Sequence, residues 1–264
     1  MKLLKFLVYS NIWISLGASL LTLLSFKVIG FAPNIDYVLF VFFCTLFSYN
    51  FQRVSRLKTI AKYSPNSWVV ENSTIAKVLL FLSFIGAIVF VPIFEAPFSL
   101  IWLVILAVIS VGYSYGKLRD LPYVKILLIS TSWAIASGII PAIVLENQPT
   151  FVFLTSFGWV FCYILAITIP FDIRDIGIDE ERKKTIPQWV GTKNSKIIAL
   201  VFLCLSAFCF GSLVEIPALI GYLVSCLVAG VLIIKSSSLK PDLFFSLGID
   251  GHLIFLFFIV FFLT

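Results

Sequence analysis

Charge is scarce in this chain, and so are the residue types from which soluble active sites and metal centres are usually built. Of 264 residues, 12% are Asp, Glu, Lys or Arg while 61% are apolar, and there is one histidine and one methionine. With a mean hydropathy of +1.10, the apolar side chains exceed what one soluble core can hide, which excludes a water-soluble globular domain and predicts a polytopic membrane protein. A lone histidine makes a poor metal site. The five cysteines, Cys44, Cys162, Cys204, Cys209 and Cys226, fall inside apolar stretches at spacings that match no zinc or redox motif, so they read as packing residues. The net charge of +6 has no soluble basic domain behind it, and nucleic acid is excluded as a partner.

What the chain has instead is a series of apolar runs long enough to cross a bilayer. They predict an all-α bundle of nine transmembrane helices at roughly 6–29, 34–50, 77–94, 98–115, 123–145, 150–171, 196–214, 216–234 and 243–263, forming one domain over residues 1–264. The first run is too long for a signal peptide and lacks a small-residue cleavage site, so it counts as a span. Eighteen of the nineteen Lys and Arg lie at the N-terminus or after the second, fourth, sixth and eighth spans, leaving Lys27 alone on the other side. The positive-inside bias then puts the N-terminus in the cytoplasm and the C-terminus outside, in a cytoplasmic-type membrane with the working face toward the cytoplasm. Two long polar loops, about 51–77 and 172–196, recur four spans apart, which suggests two four-helix quasi-repeats closed by a ninth helix.

The second of these loops opens with Asp172-Ile-Arg-Asp175-Ile-Gly-Ile-Asp179. On a helix these carboxylates stand at i, i+3 and i+7, on one face at the membrane boundary, where they can converge on a hard cation. Oxygen ligands without nearby His or Cys favour Mg²⁺, which leaves positions open for phosphate oxygens, so a phosphate or diphosphate substrate is expected. Arg174, Arg182, Lys183 and Lys184 can hold its remaining charge, or anchor the loop to the membrane surface. After the fourth span, Tyr113 and Lys117 are four residues apart with Arg119 beside them, a phenol and cations able to grip an anion or simply to snorkel at the interface. The first long loop presents Asn50, Arg53, Val54 and Lys58 on one helical face, with cations but no carboxylate.

Nine spans, a polar motif after the second, Tyr-x-x-x-Lys after the fourth, and an aspartate motif leading into Lys184-Thr185-Ile186-Pro187 and Gly191 after the sixth resemble the UbiA superfamily of intramembrane prenyltransferases. The resemblance covers nearly the whole chain. It implies that Asp172, Asp175 and Asp179 ligate Mg²⁺ and act in catalysis with Lys117. Tyr113, Lys117, Arg119 and Lys184, together with Asn50, Arg53 and Lys58, would then contact a polyprenyl diphosphate whose prenyl group passes to an aromatic or other lipophilic acceptor. The chain departs from the family in the first motif, Asn-x-x-x-Asp-x-x-x-Asp, where it has Asn50, Val54 and Lys58. Cations on that face, Arg53 and Lys58, can contact diphosphate oxygens in place of a second metal.

Two other readings compete. A non-catalytic relative would keep the fold and bind isoprenoid lipid without turnover, in line with Val54 and Lys58. A transporter would place its polar groups near the bilayer midplane, whereas here the charges gather at one face. Asp250 and His252, at the start of the ninth span, are an ionisable pair that either serves function or caps and packs the helix. Trp68 and Trp189 in the cytoplasmic loops read as interfacial anchors, with contact to an aromatic acceptor as the alternative.

Overall fold

Apolar runs in a bilayer have no water to satisfy their peptide groups, so their hydrogen bonds must close within the segment, as a helix does. The structure, a computed structural model, describes residues 2–63, 67–91, 97–115, 123–143, 149–176 and 185–263. Among them every regular element is helical: α1 (Lys2–Tyr9), α2 (Ile12–Val28), α3 (Ile35–Ser55), α4 (Leu57–Tyr63), α5 (Trp68–Glu71), α6 (Ser73–Val89), α7 (Pro97–Tyr115), α8 (Val124–Ala134), α9 (Ile140–Ile143), α10 (Thr150–Arg174), α11 (Ile186–Gly211), α12 (Ile216–Lys235) and α13 (His252–Phe261). Two π-helical segments, Ile135–Ile139 and Phe244–Asp250, join α8 to α9 and lead into α13.

Six helical stretches among the described residues are long and apolar enough to cross a membrane: α3, α8 through α9, α10, α11, α12, and Phe244–Phe261. A seventh is the pair α1–α2, bent by 70° where one straight helix was expected. On length and apolarity, then, the described residues show six spans, or seven with the bent pair, of the nine expected. The expected third and fourth spans fall on α6 and α7, whose apolar stretches are shorter. Large apolar side chains point outward around the bundle, Phe208 at 80% exposure and Leu227 at 71% among them. Hydroxyls turn inward: Ser15, Thr22 and Ser25 of α2 are buried and donate to carbonyls one turn back. This arrangement suits a lipid surround, with small polar residues at the helix contacts.

Neighbours in sequence are largely neighbours in space. α3 packs against α2 and α6, and α10 against α8 and α11; α11 leads through α12 to α13, which returns onto α2 and closes a ring. The second member of each expected quasi-repeat thus lies between the first and third. The π segment Ile135–Ile139 comes close enough to α10 that a Cβ on Gly138 would sit 2.5 Å from the Ser156 carbonyl oxygen. Glycine is therefore required there. A π turn displaces backbone from the regular ladder, and in this case it moves Ala136 and Ser137 onto the wall of an internal cavity.

Candidate functional site

The cavity measures about 410 Å³ and lies between α3, α7 and α8, with Ala18 of α2 and the π segment behind them. It runs along α3 from Gln52 and Tyr49 to Tyr37, fifteen residues and so about 22 Å of helix. Its walls are predominantly apolar, among them Phe40, Leu103, Leu106, Leu128 and Trp133. At the far end the Tyr37 hydroxyl donates to the Ala136 carbonyl at 2.6 Å, and Thr22 meets Ser137 at 2.9 Å behind it. The size and lining suit a small apolar ligand with one polar end.

The charged residues gather at the Gln52 end of the bundle. Asp172, in the last turn of α10, is buried with its side chain 3% exposed, and it accepts from Lys125 Nζ at 2.8 Å. Asp175 follows as the residue that ends α10, and Arg174 grips both of its oxygens, Nε to Oδ1 at 2.7 Å and a terminal nitrogen to Oδ2 at 3.2 Å. The same guanidinium lies 3.8 Å from Asp242. Asp250, the last residue of the second π segment, is within electrostatic reach of Arg174 and Arg53. Helix α10 stops at Arg174, so the expected single helical face carries Asp172 but ends before Asp175.

At the end of α3 the polar side chains are committed to backbone. The helix break at Ser10 and Asn11, with Asn11 in the left-handed region at φ 67°, frees carbonyls at the end of α1. Asn50 is 0% exposed. Its Nδ2 donates to Ser10 O at 3.1 Å and Leu46 O at 2.9 Å, while its Oδ1 accepts from Asn11 Nδ2 at 3.2 Å. Arg53 donates to the Tyr9 carbonyl. The expected common face of Asn50, Arg53 and Lys58 is interrupted, because α3 ends at Ser55 and Lys58 is exposed on the separate helix α4. Tyr113 is in the last turn of α7. Lys117, Arg119, Asp179 and Lys184 lie outside the described residues.

The stretch after the aspartate motif is built for a sharp return. Thr185 sits at the N-terminus of α11 with its N–H held by the Gln188 side chain at 2.9 Å, Pro187 fits the first turn, and Gly191 at φ 79° kinks the helix. Trp189 reaches back to the Tyr123 ring, which immediately precedes α8, and Trp68 packs edge-on against Phe6.

Sequence reasoning missed two members of this cluster. Lys125 was counted only among the topogenic charges, although it is the cation nearest the start of the fifth span. Proximity in sequence pairs Asp250 with His252, yet the structure gives them different surroundings: Asp250 is within electrostatic reach of Arg174 and Arg53, and His252 joins a buried network with Tyr163 and Ser225. Among the described residues, no three His, Cys, Asp or Glu side chains come together as a metal set. Asp172 and Asp175 supply hard oxygen donors, and each already draws a protein cation, which is the charge demand that Mg²⁺ satisfies.

Residues 69–242 match the model of the UbiA prenyltransferase family. The chain belongs to that family. Solved structures agree in fold. A UbiA homologue from Aeropyrum pernix K1 superimposes with a TM-score of 0.69 at 11% identity, over 92% of this chain and 94% of its own. A UbiA homologue from Archaeoglobus fulgidus, bound to GPP and Mg²⁺, gives 0.65 at 11% identity over 98% and 99%. A digeranylgeranylglyceryl phosphate synthase structure gives 0.57 at 17% identity over 100% and 97%. A search of curated proteins finds no match. UbiA membership makes the chain a multi-pass membrane protein of a prenyltransferase family.

Proposed function

We propose that this chain is a membrane prenyltransferase that moves a prenyl group from a polyprenyl diphosphate to an aromatic or other lipophilic acceptor. The observation that carries the reading is an apolar cavity of about 410 Å³ that reaches Gln52 on α3 and Leu128 on α8, one turn from Lys125, which pairs with the buried carboxylate of Asp172. A prenyl diphosphate has one end for each. The proposal includes nine spans, with α6 and α7 as the third and fourth, the N-terminus and the charged end in the cytoplasm and the C-terminus outside, supported by the distribution of Lys and Arg.

Asp172, Asp175 and Asp179 are the residues that would hold Mg²⁺, whose charge offsets the negative charge growing on the departing diphosphate. Tyr113, Lys117, Arg119 and Lys184 donate to the diphosphate oxygens. The bond between prenyl C1 and the diphosphate oxygen breaks, and its electron pair leaves with the diphosphate. The apolar walls keep water from the allylic cation until a nucleophilic atom of the acceptor bonds to C1 and releases its proton to the diphosphate or to solvent. Asn50 and Arg53 hold α1 against the mouth of the cavity rather than reaching into it. Lys58 takes no part in this scheme.

A second reading, an isoprenoid-binding relative without turnover, is favoured by one observation: the first-motif acids are Val54 and Lys58, and Asn50 is committed to α1. Binding of geranyl diphosphate to the purified protein in detergent, with and without Mg²⁺, followed by assay of diphosphate release with membrane lipid extracts as acceptor, separates the two. Prenyl transfer requires metal-strengthened binding that Asp172→Asn loses, and release of diphosphate on adding acceptor. Binding without release points to the second reading, and absence of binding by folded protein rejects both.

A further inference from the structure

Lys125 is out of place by the rules of helix stability. It is the second residue of α8, where the helix macrodipole disfavours a cation, and its partner Asp172 is a covered carboxylate 47 residues away. Its ammonium is not sealed in with that partner: the lysine side chain is 21% exposed against 3% for the aspartate. Leu128 and Ile129, three and four residues on, line the cavity, so Lys125 continues the cavity-facing side of α8 at its charged end. The lysine thus pairs with a buried carboxylate one helical turn before the cavity lining begins on α8. A lysine stem is long and its three donors rotate, so the ammonium can exchange one anionic partner for another without backbone movement.

Two other described cations at this end are already engaged. The first motif brings no carboxylates and so no second metal, Arg53 is engaged by the Tyr9 carbonyl, and Arg174 is clamped on Asp175. We propose that Lys125 is an exchangeable cation: it holds Asp172 in the ligand-free protein, yields that carboxylate to a divalent metal, and turns to the diphosphate, supplying charge that a first-motif metal would otherwise bring. The inference rests on the prenyltransferase reading, and it adds a diphosphate-binding residue to it.

The test uses the full chain in detergent with two probes, geranyl diphosphate at saturating Mg²⁺ and Mn²⁺ without diphosphate. Lys125→Met weakens geranyl diphosphate binding about ten- to hundredfold, the scale of a lost hydrogen bond to a charged group, while Lys125→Arg stays within about threefold. In the same variant Mn²⁺ binds more tightly than in the wild type, because the competing ammonium has gone from Asp172. A purely structural lysine gives neither result: geranyl diphosphate affinity in folded Lys125→Met equal to wild type, or Mn²⁺ affinity unchanged or reduced, overturns the proposal. Removing one partner of a covered pair also threatens folding. The comparison is therefore repeated between Asp172→Asn and Asp172→Asn/Lys125→Met, where a further loss of geranyl diphosphate binding on removing the lysine is expected and equal binding overturns it. Failure of the wild type to bind geranyl diphosphate would instead reject the prenyltransferase reading, and the lysine proposal with it.

Discussion

The C-terminal ends of α3 and α10 hold corresponding places, each belonging to the helix packed between the first and third members of its four-helix set, yet their polar side chains do opposite things. At the end of α3, Asn50 and Arg53 bond to the main-chain carbonyls of Ser10 and Tyr9 at the break after α1, partners that are always present. At the end of α10, Asp172 and Asp175 bond to side-chain cations, partners that can move away. A carbonyl at a helix break inside a bilayer must be satisfied at all times, since leaving it bare costs several kcal/mol. A carboxylate needs only some cation, and the identity of that cation can change during a reaction. One end has become scaffold, and the other keeps groups suited to exchange.

That contrast can be broken most forcefully at Asp172. Asp172→Ala is expected to lower prenyl transfer by about a hundredfold or more, measured as diphosphate release, as befits loss of a group acting on developing charge. Asn50→Ala should act on stability instead. It strips partners from Ser10 O and Asn11 and is expected to cost about 1–3 kcal/mol in denaturant unfolding, while geranyl diphosphate affinity per folded molecule stays at the wild-type value. Loss of affinity at unchanged stability would erase the distinction between the two ends. Gly191→Ala, at φ 79° in the return after α10, should cost about 1 kcal/mol in the same unfolding measurement. The smallest effect is expected from Val54→Asp/Lys58→Asp: with Lys58 on a separate helix, the two new acids do not share a face with Asn50, and geranyl diphosphate affinity should change less than about twofold. A large gain would mean that the end of α3 still serves as half of a metal clamp.

The sequence made the broad architecture legible because bilayer thickness fixes the length of an apolar run. Charge asymmetry likewise pointed to the end of the bundle that carries the Lys125–Asp172 and Arg174–Asp175 pairs. Periodicity could not show the bend at Asn11, which depends on a left-handed residue whose own side chain is held by a partner 39 residues away. Nor could it distinguish the roles of Asn50, since an asparagine reads the same whether its amide faces a ligand or a carbonyl. The Asp172–Lys125 pair was hidden for a related reason: spacing reveals partners on one helix, whereas this pair joins the end of α10 to the start of α8. Asp250 was drawn toward His252 by proximity in sequence, and the π turn that ends at Asp250 sends the two side chains to different surroundings.

The bend between α1 and α2 also constrains the order of events as the protein is made. Among the described residues, the carbonyls of Tyr9 and Ser10 take side-chain donors from Arg53 and Asn50, 44 and 40 residues later. Until the second hydrophobic segment leaves the ribosome and enters the bilayer, the first gains nothing from bending at Asn11. It does better as a continuous helix or with the break held in the hydrated headgroup layer. The bent shape of the first segment is thus a product of assembly with its successor, acquired after insertion.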